Sequence, residues 1–238
     1  MQRKFLLTAA LAVALTAGGA AVAAKPTPAQ TAAVADKNRP SADTELDAAR
    51  KPAEMLEFAG VKPGDTVVDL IPGGGYFTRL FAKAVGPKGT VYAVGGPVRD
   101  PSKPPAQDAL AADPNYTNIK SLHEPLAQGL TTPTPADIVW TSQNYHDLKN
   151  IKELDIAAFN KSVFNALKPG GVFVVLDHVA KPDTKDATST VHRIDPALVK
   201  QEVTAAGFKF EGESAVLRNP KDDYTKNVFD PAVRHHTD

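Results

Sequence analysis

The chain has 238 residues, 42% of them apolar and 23% charged, with 27 basic side chains against 27 acidic ones. That length suits one α/β domain with its own core, and the apolar share excludes a disordered chain. Balanced charge without a basic stripe leaves no electrostatic footprint for nucleic acid or an anionic membrane, so neither is expected as a partner. The absence of cysteine excludes disulfide staples, thiolate zinc sites and cysteine nucleophiles.

Arg3 and Lys4 precede an apolar run from Phe5 to Ala17, and Ala21-Val22-Ala23 or Val22-Ala23-Ala24 then supplies a small-x-small cleavage pattern. Residues 1–24 therefore read as a signal peptide of a periplasmic or secreted protein. The run is shorter than the ~20 residues of a membrane span, so no stable membrane insertion is expected after cleavage. Residues 25–43, rich in Ala, Pro, Thr and Gln, read as a flexible leader, and 44–238 as the folded domain. Leu46, Ala49, Ala53, Leu56 and Ala59 fall at helical spacing, with Gly60 as the cap. Pro52 either kinks that helix or starts a second one.

Thr66 to Ile71 is a short continuous run of the kind buried on both faces of a parallel sheet. Pro72-Gly73-Gly74-Gly75 follows, then a helical pattern through Phe77, Leu80, Phe81 and Val85. Further strands are expected at Thr90 to Val94, Asn118 to Leu122, Ala136 to Thr141, Val172 to Leu176 and within Phe208 to Leu217. A weak helix is expected around Gln107 to Ala112 and stronger ones at Leu154 to Leu167 and, behind Asp195-Pro196, to Ala206. Strands alternating with helices predict a Rossmann-like, doubly wound, mostly parallel sheet of six to seven strands with helices on both faces.

A strand ending in Asp, a glycine-rich turn and a helix form the ligand-binding end of such a unit, because glycines let the backbone approach a ligand closely. Asp69-Leu70-Ile71-Pro72-Gly73-Gly74-Gly75 resembles motif I of class I S-adenosylmethionine-dependent methyltransferases, whose usual form is Asp-x-Gly-x-Gly-x-Gly. Leu167-Lys168-Pro169-Gly170-Gly171 resembles the phrase before strand five of that family. More narrowly, Asn144-Tyr145-His146-Asp147-Leu148 and His192-Arg193-Ile194-Asp195 resemble a family of exported predicted methyltransferases. The resemblance spans roughly Thr44 to Leu217. It implies S-adenosylmethionine as the cofactor, with Asp69 and the backbone of Pro72, Gly73, Gly74 and Gly75 at its methionine part, and Glu124 and Thr141 as further cofactor-binding candidates.

Three departures accompany it. Ile71 stands where the first motif glycine belongs, which implies a reshaped turn or a displaced cofactor. Val94-Gly95-Gly96 offers no acid to the ribose. The family also closes its sheet with an antiparallel seventh strand, and the sequence stops at His235-His236-Thr237-Asp238 where that strand would begin, as a truncated chain would.

Methyl transfer to a hydroxyl needs alignment and proton removal. His146 is the first candidate base, with Tyr145 shaping a small-molecule acceptor pocket and Asp147 orienting the imidazole; His178 is the second. Arg193 is a candidate clamp for an anionic acceptor, or a partner of Asp195. His146, Asp147, Asp177, His178 and His192 could gather at one end of the sheet, but without a helical His-x-x-x-His pair or other tight spacing no metal is assigned. Trp140 and Phe77, Phe81, Phe159 and Phe164 read as core. The expected function is methyl transfer to an unknown small acceptor; the alternative is an exported, non-catalytic binding protein of the same fold. A nicotinamide-dependent oxidoreductase is disfavoured because Gly-x-Gly-x-x-Gly is not matched.

Overall fold

The computed structural model describes residues 2–8, 25–98, 100 and 102–237. The apolar run beyond Thr8 and the cleavage pattern at 21–24 lie outside the described residues. Seven strands form one sheet: β1 (Lys4–Thr8), β2 (Thr66–Leu70), β3 (Thr90–Gly95), β4 (Ile119–His123), β5 (Ala136–Ser142), β6 (Leu167–Leu176) and β7 (Lys209–Glu213). Their spatial order is β4-β3-β2-β5-β6-β1-β7, and every adjacent pair is parallel. The chain winds from β2 outward through β3 and β4, then returns to β5 on the other side of β2. The topological switch point therefore lies between β2 and β5, where ligand crevices open in such sheets.

Alternating side chains explain the two-sided burial. In β2, Val68 and Leu70 enter the core that holds Phe159, Val163, Phe173 and Val203. Val67 faces the opposite core, with Phe77, Leu80, Phe81 and Trp140. Trp140 is fully buried, its ring 4.7 Å from Phe77 and 5.4 Å from Phe81. Helices α1 (Pro28–Val34), α4 (Pro52–Ala59) and α5 (Tyr76–Val85) lie together on this second side, and α8 (Ile156–Ala166) and α10 (Pro196–Ala205) cover the first.

Several elements differ from the sequence reading. The stretch read as a flexible leader contains α1, which starts with a reciprocal capping box between Thr27 and Gln30. The buried Gln30 amide donates to the carbonyls of Leu56 at 3.2 Å and Val61 at 2.9 Å, tying α1 to the end of α4. Short helices α2 (Ser41–Thr44) and α3 (Asp47–Arg50) follow. Lys51, at φ +42°, separates α3 from α4, which starts with Pro52, so the proline opens a second helix. Lys168-Pro169-Gly170-Gly171 lies inside β6 as an irregularity, with Leu167 opposite Ala136 but Val172 opposite Ile138. No antiparallel strand closes the sheet among the described residues; instead β1 lies between β6 and β7 in parallel register. Phe5 and Leu7 are wholly buried there.

Candidate functional site

The strand-to-helix turn after β2 is built around three left-handed residues, Ile71 at φ +57°, Gly73 at +54° and Gly75 at +84°. Ile71 thus adopts the backbone that a glycine would take, and the turn keeps its shape at a cost of about 1–2 kcal/mol. Two hydrogen bonds hold it: the Ile71 amide donates to Val94 O at 2.8 Å, and Asn144 Nδ2 donates to Ile71 O at 3.0 Å. A Cβ on Gly73 or Gly74 would enter open space, whereas one on Gly75 would lie 2.4 Å from Leu110. The first two glycines clear the crevice; the third lets α6 (Ala106–Ala112) pack against the turn.

Asp69 is buried beneath this turn and accepts a 2.6 Å hydrogen bond from Thr78 Oγ1 on α5. Burial raises its carboxyl to about 7, against the lowering effect of Thr78. Asp69, Pro72, Gly73 and Gly74 line a crevice of about 410 Å³ together with Asn144 and His146. A second lobe of about 550 Å³ shares Arg50, Phe77, Ser142, Gln143 and His178 with the first. Such volumes suit a small-molecule site.

At the far wall, α7 (Tyr145–Leu148) carries His146. Asp177, at the end of β6, accepts the His146 amide at 2.8 Å, its Nδ1–H at 2.7 Å and the His178 amide at 2.8 Å. The carboxylate thereby holds Nδ1, and Nε2 faces Asp147 Oδ1 at 3.3 Å and His192 Nδ1 at 3.4 Å. Burial opposes protonation of His146, but the hydrogen bond and charge of Asp177, helped by Asp147, outweigh it and raise the imidazole above its ordinary value. His178 lines both lobes. Desolvation pulls it down to about 4, and its Nδ1 pairs with Thr237 Oγ1 at 2.7 Å.

The 192–194 segment follows the short helix α9 (Ala187–Thr190). It is brought beside His146 because Ile194 bridges Val179, with Ile194 N donating to His178 O at 2.8 Å. His192, at φ +54°, then sits with its Nδ1 3.4 Å from His146 Nε2.

Other expected site residues lie elsewhere. Tyr145 is wholly buried; its hydroxyl donates to Glu202 at 3.1 Å and accepts from Asn160 at 2.7 Å, so it faces α8 and α10 and shapes no acceptor pocket. Arg193 is also wholly buried. It forks onto Asp222 at 2.7 and 3.0 Å and donates to the carbonyls of Val179 and Lys226. Its bidentate face is therefore committed, and it is neither an acceptor clamp nor the partner of Asp195, which caps α10. Thr141 is enclosed within β5. Glu124 follows β4 with its amide bonded to Gly95 O at 2.8 Å, and neither it nor Thr141 borders the two lobes.

Crevice residues that the sequence reading did not single out include Arg50 and Phe229. Arg50 lies 4.6 Å above the Tyr76 ring and 3.5 Å from Gln143 Oε1. Near the ribose-acid position, Gln107 abuts Gly95, and Asp108 accepts from Ser121 at 2.5 Å and pairs with His123 at 2.8 Å.

The parallel sheet, switch-point crevice and glycine turn define a Rossmann-like α/β fold. A solved S-adenosylmethionine-dependent methyltransferase from Aquifex aeolicus shares it, with TM-score 0.53 and 22% identity over 72% of this chain and 89% of that one. In sequence, the chain is 32% identical over 126 residues to the ubiquinone/menaquinone biosynthesis C-methyltransferase UbiE of Hydrogenovibrio crunogenus, covering 51% of this chain and 45% of that protein. The corresponding Marinomonas protein is 27% identical over 181 residues, covering 74% of this chain and 68% of its own length. The chain spans about half the length of the first three curated relatives it matches. No protein-family model matches it.

Proposed function

We propose that the chain is an S-adenosylmethionine-dependent methyltransferase acting on a small-molecule acceptor. The observation that carries this reading is the shared crevice: the cleared glycine turn over a buried acid forms one wall, and the His146 imidazole on a fixed carboxylate forms the other. The cofactor fits the chemistry of the first wall. Side chains at Gly73 and Gly74 would fill the space it needs, and Asp69 is a desolvated carboxyl suited to a cationic partner.

When bound, S-adenosylmethionine supplies an electrophilic methyl group on a sulfonium. Asp69 would accept hydrogen bonds from the cofactor ammonium, and the Pro72–Gly74 backbone would bound its methionine part. His146 Nε2 would take the proton of an acceptor hydroxyl as the methyl bond forms, with Asp177 stabilising the resulting imidazolium. His178 is the weaker base because desolvation holds its affinity for a proton down. Export to the periplasm or medium is part of the proposal and rests on the Arg3-Lys4 start, the apolar run and the small-x-small pattern.

The test is calorimetric titration with S-adenosylmethionine and, separately, S-adenosylhomocysteine. Saturable binding to both that is lost in Asp69→Ala is the expected result. No heat and no thermal shift at millimolar ligand would overturn the reading.

A further inference from the structure

His146, Asp147 and His192 bring three ligand atoms to one point from two separate chain segments. His146 Nε2 lies 3.3 Å from Asp147 Oδ1 and 3.4 Å from His192 Nδ1, and the last two atoms are 3.5 Å apart. Bonds of about 2.0–2.1 Å to a tetrahedral ion separate adjacent ligand atoms by about 3.3–3.4 Å, so the triangle has the edge lengths of one face of such a site. Calcium, with bonds of about 2.3–2.6 Å and a demand for oxygen, fits neither the spacing nor the imidazoles.

Asp177 holds the Nδ1 side of His146 at 2.7 Å, which turns Nε2 toward Asp147 and His192. The arrangement around His146 also matches a metal-ligating histidine whose other nitrogen is held by a carboxylate.

We infer that His146, Asp147 and His192 form a binding site for a divalent first-row metal ion of the zinc type, with Asp177 orienting His146 from behind and the remaining coordination position open to the crevice. The donor set of two imidazoles and one carboxylate with a free position is that of a reactive rather than a closed structural site. The buried Arg193–Asp222 pair anchors the residue beside His192 and so acts as a positioning device. The inference rests on the triad and holds whether or not the chain transfers methyl groups. An ion there would occupy the lone pair of His146 and itself lower the pKa of a bound acceptor hydroxyl, in place of the imidazole base.

The experiment is a Zn²⁺ titration of the chelator-stripped full chain against a chromophoric competitor. It is paired with the visible spectrum of the Co²⁺-loaded protein, and neither readout depends on activity. Expected is one ion per chain with an intense tetrahedral Co²⁺ spectrum. His192→Ala should weaken binding at least 100-fold and Asp177→Asn by about 10–100-fold, with the combined His235→Ala and His236→Ala variant unchanged. His192 is partly exposed, so His192→Ala keeps the test valid if the buried His146→Ala fails to fold. Affinity unaffected by His192→Ala, binding that disappears with His235 and His236, or no binding at one equivalent would each overturn the inference.

Discussion

Replacing Asp69 by Asn separates what the buried acid does for folding from what it does for a ligand. In the folded protein its carboxyl titrates at about 7 rather than at the ordinary 3.8, because burial disfavours the charge. A raised value means that the protonated form suits the fold. The contribution is fully present below pH 3.8, is lost progressively as the unfolded chain ionises, and is gone once the pH passes about 7. At about 1.4 kcal/mol per pH unit, the loss between pH 4 and pH 8 amounts to about 4 kcal/mol. Asn carries no charge at either pH, so the Asp69→Asn variant escapes this loss. Its amide needs a new acceptor in the same space, at a cost of about 1–3 kcal/mol that does not vary with pH. Urea unfolding of both proteins at several pH values should therefore show the variant gaining on the wild type by about 4 kcal/mol from pH 4 to pH 8, with a net excess of about 1–3 kcal/mol at the upper end. Binding of S-adenosylmethionine should be lost in the same variant. A stability difference that stays constant across that range would refute the account of Asp69.

The same carboxyl predicts that S-adenosylmethionine binding weakens about tenfold per pH unit below 7, since a cationic partner needs the proton removed; calorimetry in buffers of different ionisation heat would register the released proton. Arg193→Ala should destabilise the protein by about 3–5 kcal/mol, as loss of one partner from a buried charge pair does, which thermal unfolding would read. Gln30→Ala removes three hydrogen bonds of a buried amide, two donated to the Leu56 and Val61 carbonyls and one accepted from Thr27 N. It should cost about 2 kcal/mol and speed limited proteolysis between residues 25 and 43.

Much of the sheet was legible because its strands are short apolar runs punctuated by glycine and proline. Thr66–Leu70 and Ala136–Ser142 fall within a residue of the runs that announce them. What escaped was set by partners distant in sequence. Gln30 looks like one polar residue in a low-complexity leader until Leu56 and Val61 supply carbonyls, and Arg193 looks like a crevice cation until Asp222 arrives from 29 residues further on. Tyr145 sits beside His146 in sequence, yet a short helix sends neighbouring side chains in different directions. Ile71 is a case of tertiary override: Asn144, 73 residues away, helps to hold a β-branched residue in a backbone that local preference disfavours. The gathering of His146, Asp147 and His192 had no signal in ligand spacing, because 46 residues separate the two histidines.

The placement of β1 makes the sheet depend on Lys4–Thr8. Phe5 is wedged between Phe173 at 6.2 Å and Phe210 at 5.8 Å, and the strand is laddered on both sides. If residues 1–24 are cut away, β6 and β7 face each other across a gap about 10 Å wide, with two rows of backbone donors and acceptors exposed to it. The same five residues then behave as a detachable slat. Such a cut would also strip β7 of the one strand it is laddered to, so the seven-stranded sheet belongs to the chain that keeps Lys4–Thr8.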